Sequence, residues 1–342
     1  MSMKEFCRDR LFAGLIGGLA LAAATMPITT QAAELQPIAV RLSFLTYGFH
    51  AGIFYALEKG WFKDGGLDVS IEDGTGSTNT VSVVGAGNFD IGEAALSVVA
   101  QGRNKGLPIK AIAGFEPQSD AGVLVPVDSN IKRLKDLAGK KVIYSAASLE
   151  APFLDLFFRN GGITRDQMEL INIDGMAKVS AYIAGRADAL ITVVPAIQVA
   201  VAKDRPSRGI LFGDYGLVIP SMGYFATENT IKTKPQALRV FVAAMSRAFH
   251  EIKDEGKIDE AIADVIKNRP QQKFSADNLK AQLEAIYPFM TSPNTAGKPY
   301  GWESSKDWTV TVKTMRDAGQ LDDKATPDEF FTNEFVPTSY KQ

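Results

Sequence analysis

The sequence contains few of the residues on which metal and redox sites depend. Its 342 residues include one cysteine, Cys7, and two histidines, His50 and His250. This scarcity excludes cysteine-based zinc clusters, most iron–sulfur sites and a disulfide scaffold. It also excludes an HExxH metalloprotease, because the two histidines stand far apart in the sequence. We therefore expect neither a metal nor a cofactor.

Recognisable catalytic motifs are absent as well. No phosphate-binding loop of the form GxxxxGK[ST] occurs, and neither the Gly74/Gly76 pair nor the Gly85/Gly87 pair is followed by the third glycine of a GxGxxG motif. There is no GxSxG nucleophile elbow. The formal net charge of −2 offers no basic surface for a nucleic acid. These absences favour a binding protein over an enzyme.

The first 33 residues have the three-part pattern of a secretory signal peptide. Three basic residues lie within the first ten positions, an apolar run follows from residue 11 to about 25, and small residues at Ala32 and Ala33 suit cleavage after either one. The apolar run is short for a membrane span, and an uncleaved anchor is the alternative. We expect residues 1–33 to be removed. The mature chain would then lie in the periplasm, without cysteine, as suits an oxidising compartment.

Strand and helix patterns alternate through the first two thirds of the mature chain. Apolar and polar residues alternate over 38–45, a turn at His50 leads to a helix over 52–62, and a last strand is expected at 223–227. This alternation predicts an α/β fold with mostly parallel strands. Helices predominate after Pro235, and His250 falls on the polar face of the first of them, where we expect it to be solvated.

A short internal repeat suggests two halves of similar construction. Residues 81–90 (VSVVGAGNFD) and 179–188 (VSAYIAGRAD) agree at five of ten positions. In both segments a helix stops at a glycine and an aspartate leads into an apolar strand. Two similar lobes explain this agreement; chance is the alternative, because turns between helices and strands favour these residue types.

The loops after the strands are the candidate binding site, because ligands of such folds lie beyond the carboxyl ends of the strands. Glu93 directly follows an apolar strand and favours a cation or N–H donors on a ligand. The alternative is a charge that interacts with the dipole of the next helix. Hydroxyl groups of the loops could bind an anionic or carbonyl oxygen, or could instead cap helices, with Ser77 or Thr78 as the N-cap of the helix over 78–86.

Four stretches resemble the periplasmic solute-binding proteins of ABC importers, and among these the NMT1/THI5-like group of nitrate, sulfonate, taurine and thiamine-pyrimidine binders. The stretches are 52–74, 86–96, 131–142 and 184–195. They carry a G(W/Y)F–xxx–GLDV motif after a helix and a DLxGKxV motif. The tail 308–321 is similar to the C-terminal helix of that group. These motifs are specific to the superfamily, not to a ligand.

The resemblance implies the type II periplasmic-binding-protein fold, with two lobes that are each a mostly parallel sheet flanked by helices. Lobe one would comprise 34–118 plus 224–342, and lobe two 119–223. A monomer of this kind traps its ligand by hinge closure and delivers it to a membrane permease and an ATPase, without chemistry of its own. Carried over by position, the site residues are Phe49, His50, Ser77, Thr78, Glu93, Phe115, Ser145, Ser148, Pro195 and Tyr224.

The site loops contain no arginine or lysine, which weakens the case for an inorganic anion. Glu93 and the aromatic residues favour a small heterocycle or an amine-bearing solute, such as a thiamine-type pyrimidine. A sulfonate, taurine or nitrate binder of the same fold is the alternative. An enzyme of pyrimidine-precursor synthesis on this fold is the alternative from another class, and a periplasmic sensor role lies between the two.

Overall fold

The computed structural model describes residues 34–340 except Ala147, Asp174 and Met176. The predicted signal peptide lies outside these residues and stays a prediction. None of the helices in the described part is both long and apolar enough to span a bilayer.

The described residues form ten strands in two sheets. In chain order they are β1 (Gln36–Arg41), β2 (Leu67–Glu72), β3 (Ile91–Ala95), β4 (Ile109–Gly114), β5 (Ala121–Pro126), β6 (Lys141–Tyr144), β7 (Glu169–Asn172), β8 (Ala189–Val193), β9 (Ser207–Leu211) and β10 (Met222–Thr227). The first sheet has the order β2-β1-β3-β10-β4, and the second has the order β7-β6-β8-β5-β9.

Both sheets contain one strand that runs against the other four. In the first sheet β1 is parallel to β2 and β3, whereas β10 is antiparallel to β3 and β4. In the second sheet β6 is parallel to β7 and β8, whereas β5 is antiparallel to β8 and β9. The reversed strand is in each case the one that has just crossed over from the other sheet. The predicted fold class, two mostly parallel sheets flanked by helices, is confirmed.

Twelve α-helices in the described residues cover the sheets. They are α1 (Ala51–Glu58), α2 (Trp61–Asp64), α3 (Ser77–Gly85), α4 (Leu96–Asn104), α5 (Leu154–Asn160), α6 (Ala177–Ile183), α7 (Val194–Val201), α8 (Glu228–Thr233), α9 (Pro235–Asp254), α10 (Ile258–Asn268), α11 (Ala276–Ile286) and α12 (Ser305–Asp317). The helix expected over 52–62 is split into α1 and α2. Helix α5 is preceded by the 3-10 turn Ala151–Phe153 around Pro152, because proline lacks the N–H of a regular helix.

The internal repeat occupies equivalent places in the two sheets. Asp90 precedes β3 and Asp188 precedes β8, the third strand of each sheet. Asp90 Oδ2 accepts the Ala39 N–H at 3.0 Å, and the Asp90 N–H donates to the Ala39 carbonyl at 2.9 Å. Asp188 makes the same two bonds with Lys141, at 2.8 and 2.9 Å. The two aspartates thus make the same bonds to β1 and β6, which are the second strands of their sheets. This agreement supports similar construction of the two halves and argues against chance similarity.

The long helix α9 buries its apolar face as expected and thereby supports the first sheet. Phe241 stacks on Phe62 with ring centroids 5.3 Å apart, and Phe249 packs against other aromatic rings of the core. The predicted solvation of His250 is only partly correct. Its ring is half-buried, lies 3.0 Å from an Asp254 oxygen and stacks on Tyr340.

Glu303 is a buried carboxyl group that lies against Gly114 at the end of β4. Its Oε2 accepts the Trp308 Nε1–H at 2.6 Å, while Oε1 has no hydrogen-bond partner among the described residues. Burial raises the pKa of Glu303 to about 8, and the Trp308 hydrogen bond opposes this rise. The folded protein therefore keeps the Glu303 proton well above the pH at which an exposed glutamate loses it.

This raised pKa predicts that the protein loses stability as the pH rises from about 5 to 8. The unfolded chain releases the proton near the ordinary value of 4.5, and the folded protein near 8. Between these values the folded state binds more protons, and one such group lowers the free energy of unfolding by at most about 1.4 kcal/mol per pH unit. Urea unfolding at pH 5 and pH 8 should show a smaller pH dependence for Glu303→Gln than for the wild type. Identical losses in the two proteins would contradict the raised pKa.

Candidate functional site

His50 and Glu93 form a fully buried pair beside the carboxyl ends of β1 and β3. Their Nε2 and Oε2 atoms lie 3.3 Å apart, and both side chains are 0% exposed. The Tyr47 N–H donates to His50 Nδ1 at 3.1 Å. Since Nδ1 accepts a hydrogen bond, the ring hydrogen of the neutral imidazole is on Nε2 and is donated to Glu93. The geometry thus assigns the tautomer of His50.

One oxygen of Glu93 is satisfied by the protein and the other is not. Oε2 accepts the Ser43 N–H at 2.6 Å in addition to the His50 bond. Oε1 is buried and has no hydrogen-bond partner among the described residues. Buried carboxylate oxygens normally have hydrogen-bond partners, because leaving them unpaired costs free energy. Glu93 Oε1 is therefore available to an N–H donor from outside the protein.

Aromatic rings surround this pair. The Tyr47 ring lies 4.5 Å from the His50 ring, edge to face, and the Phe49 ring lies 6.1 Å away. Tyr224 stands opposite Glu93 in the pairing of β10 with β3, and its ring packs edge to face on Phe115 at 5.8 Å. The predicted Phe49, His50, Glu93, Phe115 and Tyr224 are therefore brought together, and they are almost completely buried.

The predicted hydroxyl groups of the first sheet have different roles. Ser77 is the first residue of α3, and its Oγ accepts the Ala95 N–H at the end of β3, at 3.1 Å. Thr78 is exposed. The expectation that Ser77 or Thr78 caps this helix is wrong: the N-cap is Gly76, because the chain turns into the helix one residue earlier.

The predicted residues of the second sheet lie in two of its loops. Ser145 and Ser148 belong to one turn, in which the Ser148 N–H donates to the Ser145 carbonyl at 3.2 Å. Ser145 is buried, and the Ser148 hydroxyl is buried without a partner among the described residues. Pro195 is buried in the first turn of α7.

Three buried acidic residues were missed from the sequence. Glu116 and Asp120 lie on the first crossing between the sheets, and Glu150 lies in the loop after β6; each is 1–2% exposed. Ser221, on the return crossing, donates to Asp120 Oδ1 at 2.9 Å. Neither carboxylate oxygen of Glu116 has a partner of hydrogen-bond geometry in the described part of the chain, although the Ser221 side chain and the Met222 backbone lie close enough to lower its pKa. Glu116 follows the apolar strand β4 closely, which is the position expected for Glu93; Glu93 itself lies inside β3 and not after it, so that expectation is wrong.

Burial shifts the titration of these acidic groups. Burial and the charge of Asp120 raise the pKa of Glu116 well above its ordinary range. Burial also raises the pKa of Asp120, and the Glu150 charge adds to the rise. Each shift has the sign expected for carboxylates that share a site of low polarity. The environment disfavours additional negative charge.

The turn that carries His50 packs against α11 through a glycine. The Gly48 N–H donates to Gln282 Oε1 at 3.1 Å. A Cβ atom at Gly48 would lie 2.5 Å from the Leu279 carbonyl oxygen and 2.8 Å from the Leu283 nitrogen, so the close backbone approach requires glycine here. Helix α11 also packs against α7 of the second sheet. It therefore contacts both sides of the site.

Substitution of the two neighbouring hydroxyl residues should distinguish their roles. Ser77→Ala leaves the buried Ala95 N–H without its acceptor and should lower the free energy of unfolding by about 1–3 kcal/mol. Thr78→Ala, at an exposed position, should change it by less than about 0.5 kcal/mol. Urea denaturation of both variants checks this expectation. Equal effects would show that Ser77 does not anchor β3.

Comparison with known proteins places the chain in a family. The model of the family described as NMT1/THI5 like matches residues 48–256, which is more than half of the chain. A formylaminopyrimidine-binding protein of Halalkalibacterium halodurans is 21% identical over 97% of this chain and 99% of its own length. A 4-amino-5-hydroxymethyl-2-methylpyrimidine phosphate synthase of Saccharomyces cerevisiae is 24% identical over 58% of this chain and 62% of its own length.

Solved structures show the same fold. The periplasmic aliphatic sulphonate binding protein SsuA from Escherichia coli superposes with a TM-score of 0.69 and 15% identity, over 88% of this chain and 92% of its own. At this identity the likeness concerns the fold alone. With the family match and the strand order of its two sheets, this chain is a member of the NMT1/THI5-like family with the periplasmic-binding-protein fold.

Proposed function

We propose that this protein is an extracytoplasmic receptor of an ABC importer that traps a small organic solute between two lobes. Lobe one would be 34–118 plus 224–342, and lobe two would be 119–223. The observation that carries the proposal is the buried Glu93 Oε1, which has no hydrogen-bond partner among the described residues and lies in a region rich in aromatic side chains. A binding protein needs such a preformed, unsatisfied group, because a ligand gains affinity by satisfying it.

The chemistry of the site favours a nitrogen heterocycle that carries N–H donors. A carboxylate oxygen accepts such donors strongly, and the surrounding rings offer flat apolar contact to an aromatic ring. An aminopyrimidine combines both properties. The formylaminopyrimidine-binding relative, matched over nearly its full length, supports the same ligand class.

A sulfonate or nitrate fits this site poorly. The fold is shared with an aliphatic sulphonate binder, so the fold permits an anion. Here the anion would meet Glu93, Glu116 and Asp120, all buried carboxyl groups. Like charges at close range in a buried site repel strongly.

We infer that the protein does not catalyse a reaction. The yeast relative is named a synthase, but His50 is poorly placed for acid–base chemistry. Its Nδ1 accepts from the Tyr47 N–H and its Nε2 faces Glu93, so neither ring nitrogen is free to exchange a proton with a ligand. Its role is to orient Glu93.

The partners follow from the proposed role: a membrane permease and an ATPase, with the receptor itself acting as a periplasmic monomer. The sequence pattern of residues 1–33 supports export. Mass spectrometry of the native protein should then find the amino terminus at Ala33 or Glu34, after cleavage behind Ala32 or Ala33. A native protein that retains Met1 would contradict periplasmic release.

Ligand binding should depend on the Glu93 carboxylate. The wild type should bind a formylaminopyrimidine in isothermal titration calorimetry. Glu93→Gln places an amide N–H where a carboxylate oxygen accepts, and should weaken binding by about 30-fold or more, in line with the loss of one partner of a buried charged hydrogen bond.

Glu303→Gln is the matched control, because it makes the same side-chain change at another buried glutamate, which accepts its hydrogen bond from Trp308 and does not contact His50. Its affinity should equal that of the wild type. Unchanged affinity of the Glu93→Gln variant for the formylaminopyrimidine would show that Glu93 has only a structural role. Absence of binding by the wild type would refute the pyrimidine as ligand class.

A further inference from the structure

Four buried carboxyl groups from different parts of the chain converge around the candidate site. Glu93 comes from β3 of the first sheet, Glu116 and Asp120 come from the first crossing, and Glu150 comes from the loop after β6 of the second sheet. All four are at most 2% exposed. The group, here called the acidic cluster, therefore spans both lobes and the connection between them.

Electrostatic effects show that the members of the acidic cluster are neighbours. After burial, the charges of Glu93, Glu116 and Asp120 all raise the pKa of the Tyr47 phenol, the ring that packs on His50. The Asp120 and Glu93 charges also act on Glu116, and the Glu150 charge acts on Asp120. The cluster thus forms one continuous acidic region beside the aromatic rings.

The protein compensates this region incompletely. Asp120 accepts from Ser221, Glu93 accepts from Ser43 and His50, and the Lys178 Nζ stands 4.0 Å from a Glu150 oxygen. Four buried oxygens have no hydrogen-bond partner among the described residues: Glu93 Oε1, Glu116 Oε1, Glu116 Oε2 and Glu150 Oε2. These four oxygens accept no hydrogen bond from the described residues, so N–H groups of a ligand could donate to them.

A bound metal ion is not the missing partner that the geometry indicates. No group of three or more His, Cys, Asp or Glu side chains within the described ranges is placed to hold a metal ion. The four carboxyl groups come from separate segments of the chain and are not placed to share one ion. An organic solute with several N–H donors matches this distribution better than a single inorganic cation.

We propose that Glu116 is a second solute-contacting residue of this site and that, together with Glu93, it selects a solute that carries a positive charge on N–H donors. The inference rests on the proposed receptor function and specifies its ligand. Closure of the lobes buries the acidic cluster, and a positive charge on the solute offsets the cost of burying it. A neutral solute of the same shape would leave that cost uncompensated. Lobe closure would therefore depend on the charge of the solute as well as on its shape.

A matched pair of solutes tests the charge selection. 4-Amino-5-aminomethyl-2-methylpyrimidine carries an ammonium group at pH 7.5, where its 5-hydroxymethyl counterpart is neutral. Calorimetry on the wild type should give the cation an affinity at least about 10-fold higher than that of the neutral compound. Glu116→Gln should lower the affinity for the cation by about 30-fold and the affinity for the neutral compound by less than about 3-fold. Glu303→Gln should change neither.

Two results of this titration would overturn the inference. One is a wild type that binds the neutral pyrimidine as tightly as the cation. The other is a Glu116→Gln protein that loses affinity for both compounds equally, as a general structural defect would produce. Thermal unfolding and circular dichroism establish that the variant is folded. If Glu116→Gln does not fold, Asp120→Asn serves in its place, with a loss of about 10-fold expected for the cation alone.

The same titration separates this inference from the proposed ligand class. Binding of neither compound would refute the pyrimidine as ligand class and, with it, this assignment of Glu116. Binding of both compounds without preference for the cation would overturn the charge selection alone.

Discussion

The arrangement of the site depends on one buried carboxylate. Glu93 Oε2 accepts hydrogen bonds from the Ser43 backbone and from His50, and so joins β3 to the end of β1 and to the turn before α1. Because Glu93 is buried, loss of these bonds would cost free energy by leaving a carboxylate oxygen without a hydrogen-bond partner. The turn cannot move away from β3 without breaking the His50 bond. The Gly48 contact with α11 limits its movement from the other side.

The two crossings between the sheets give this carboxylate its neighbours. After each crossing the chain enters the other sheet as a strand that is antiparallel to both of its neighbours. Each otherwise parallel sheet therefore contains one antiparallel strand. Glu116 and the Ser221 backbone are hydrogen-bonded to each other across the two crossings. The same few residues therefore connect the sheets and belong to the proposed site. A group bound at Glu93 and Glu116 would contact the connection itself.

The fold does not decide what is bound. A sulphonate binder has the same architecture as this chain. The pyrimidine-related proteins are only 21% and 24% identical to it. The ligand depends on the chemistry of the site and not on the scaffold. Here the loops contribute carboxyl groups, aromatic rings and a neutral histidine. That combination favours N–H donors and disfavours anions.

The local structure and part of the site follow from the sequence alone. Apolar periodicity located most strands and helices, the repeated aspartates indicated two similar halves, and the acidic Glu93 beside an apolar run indicated a functional carboxylate, although it lies inside β3 and not after it. These signals are local, since they depend on neighbours within one or two turns. The strands β5 and β9 and the N-cap Gly76 were not recognised, because pairing across a sheet and the exact start of a helix depend on contacts distant in the sequence.

Which residues lie close together in space depends on the tertiary structure. Glu116, Asp120 and Glu150 lie far from Glu93 in the sequence, and only the two crossings bring them to the same region. The structure also assigned the proton of His50 and separated the anchoring Ser77 from the exposed Thr78. Hydrogen-bond partners and burial are properties of the packed chain. A sequence pattern shows that a residue is acidic and follows a strand, but burial without a partner is what makes it a candidate for binding.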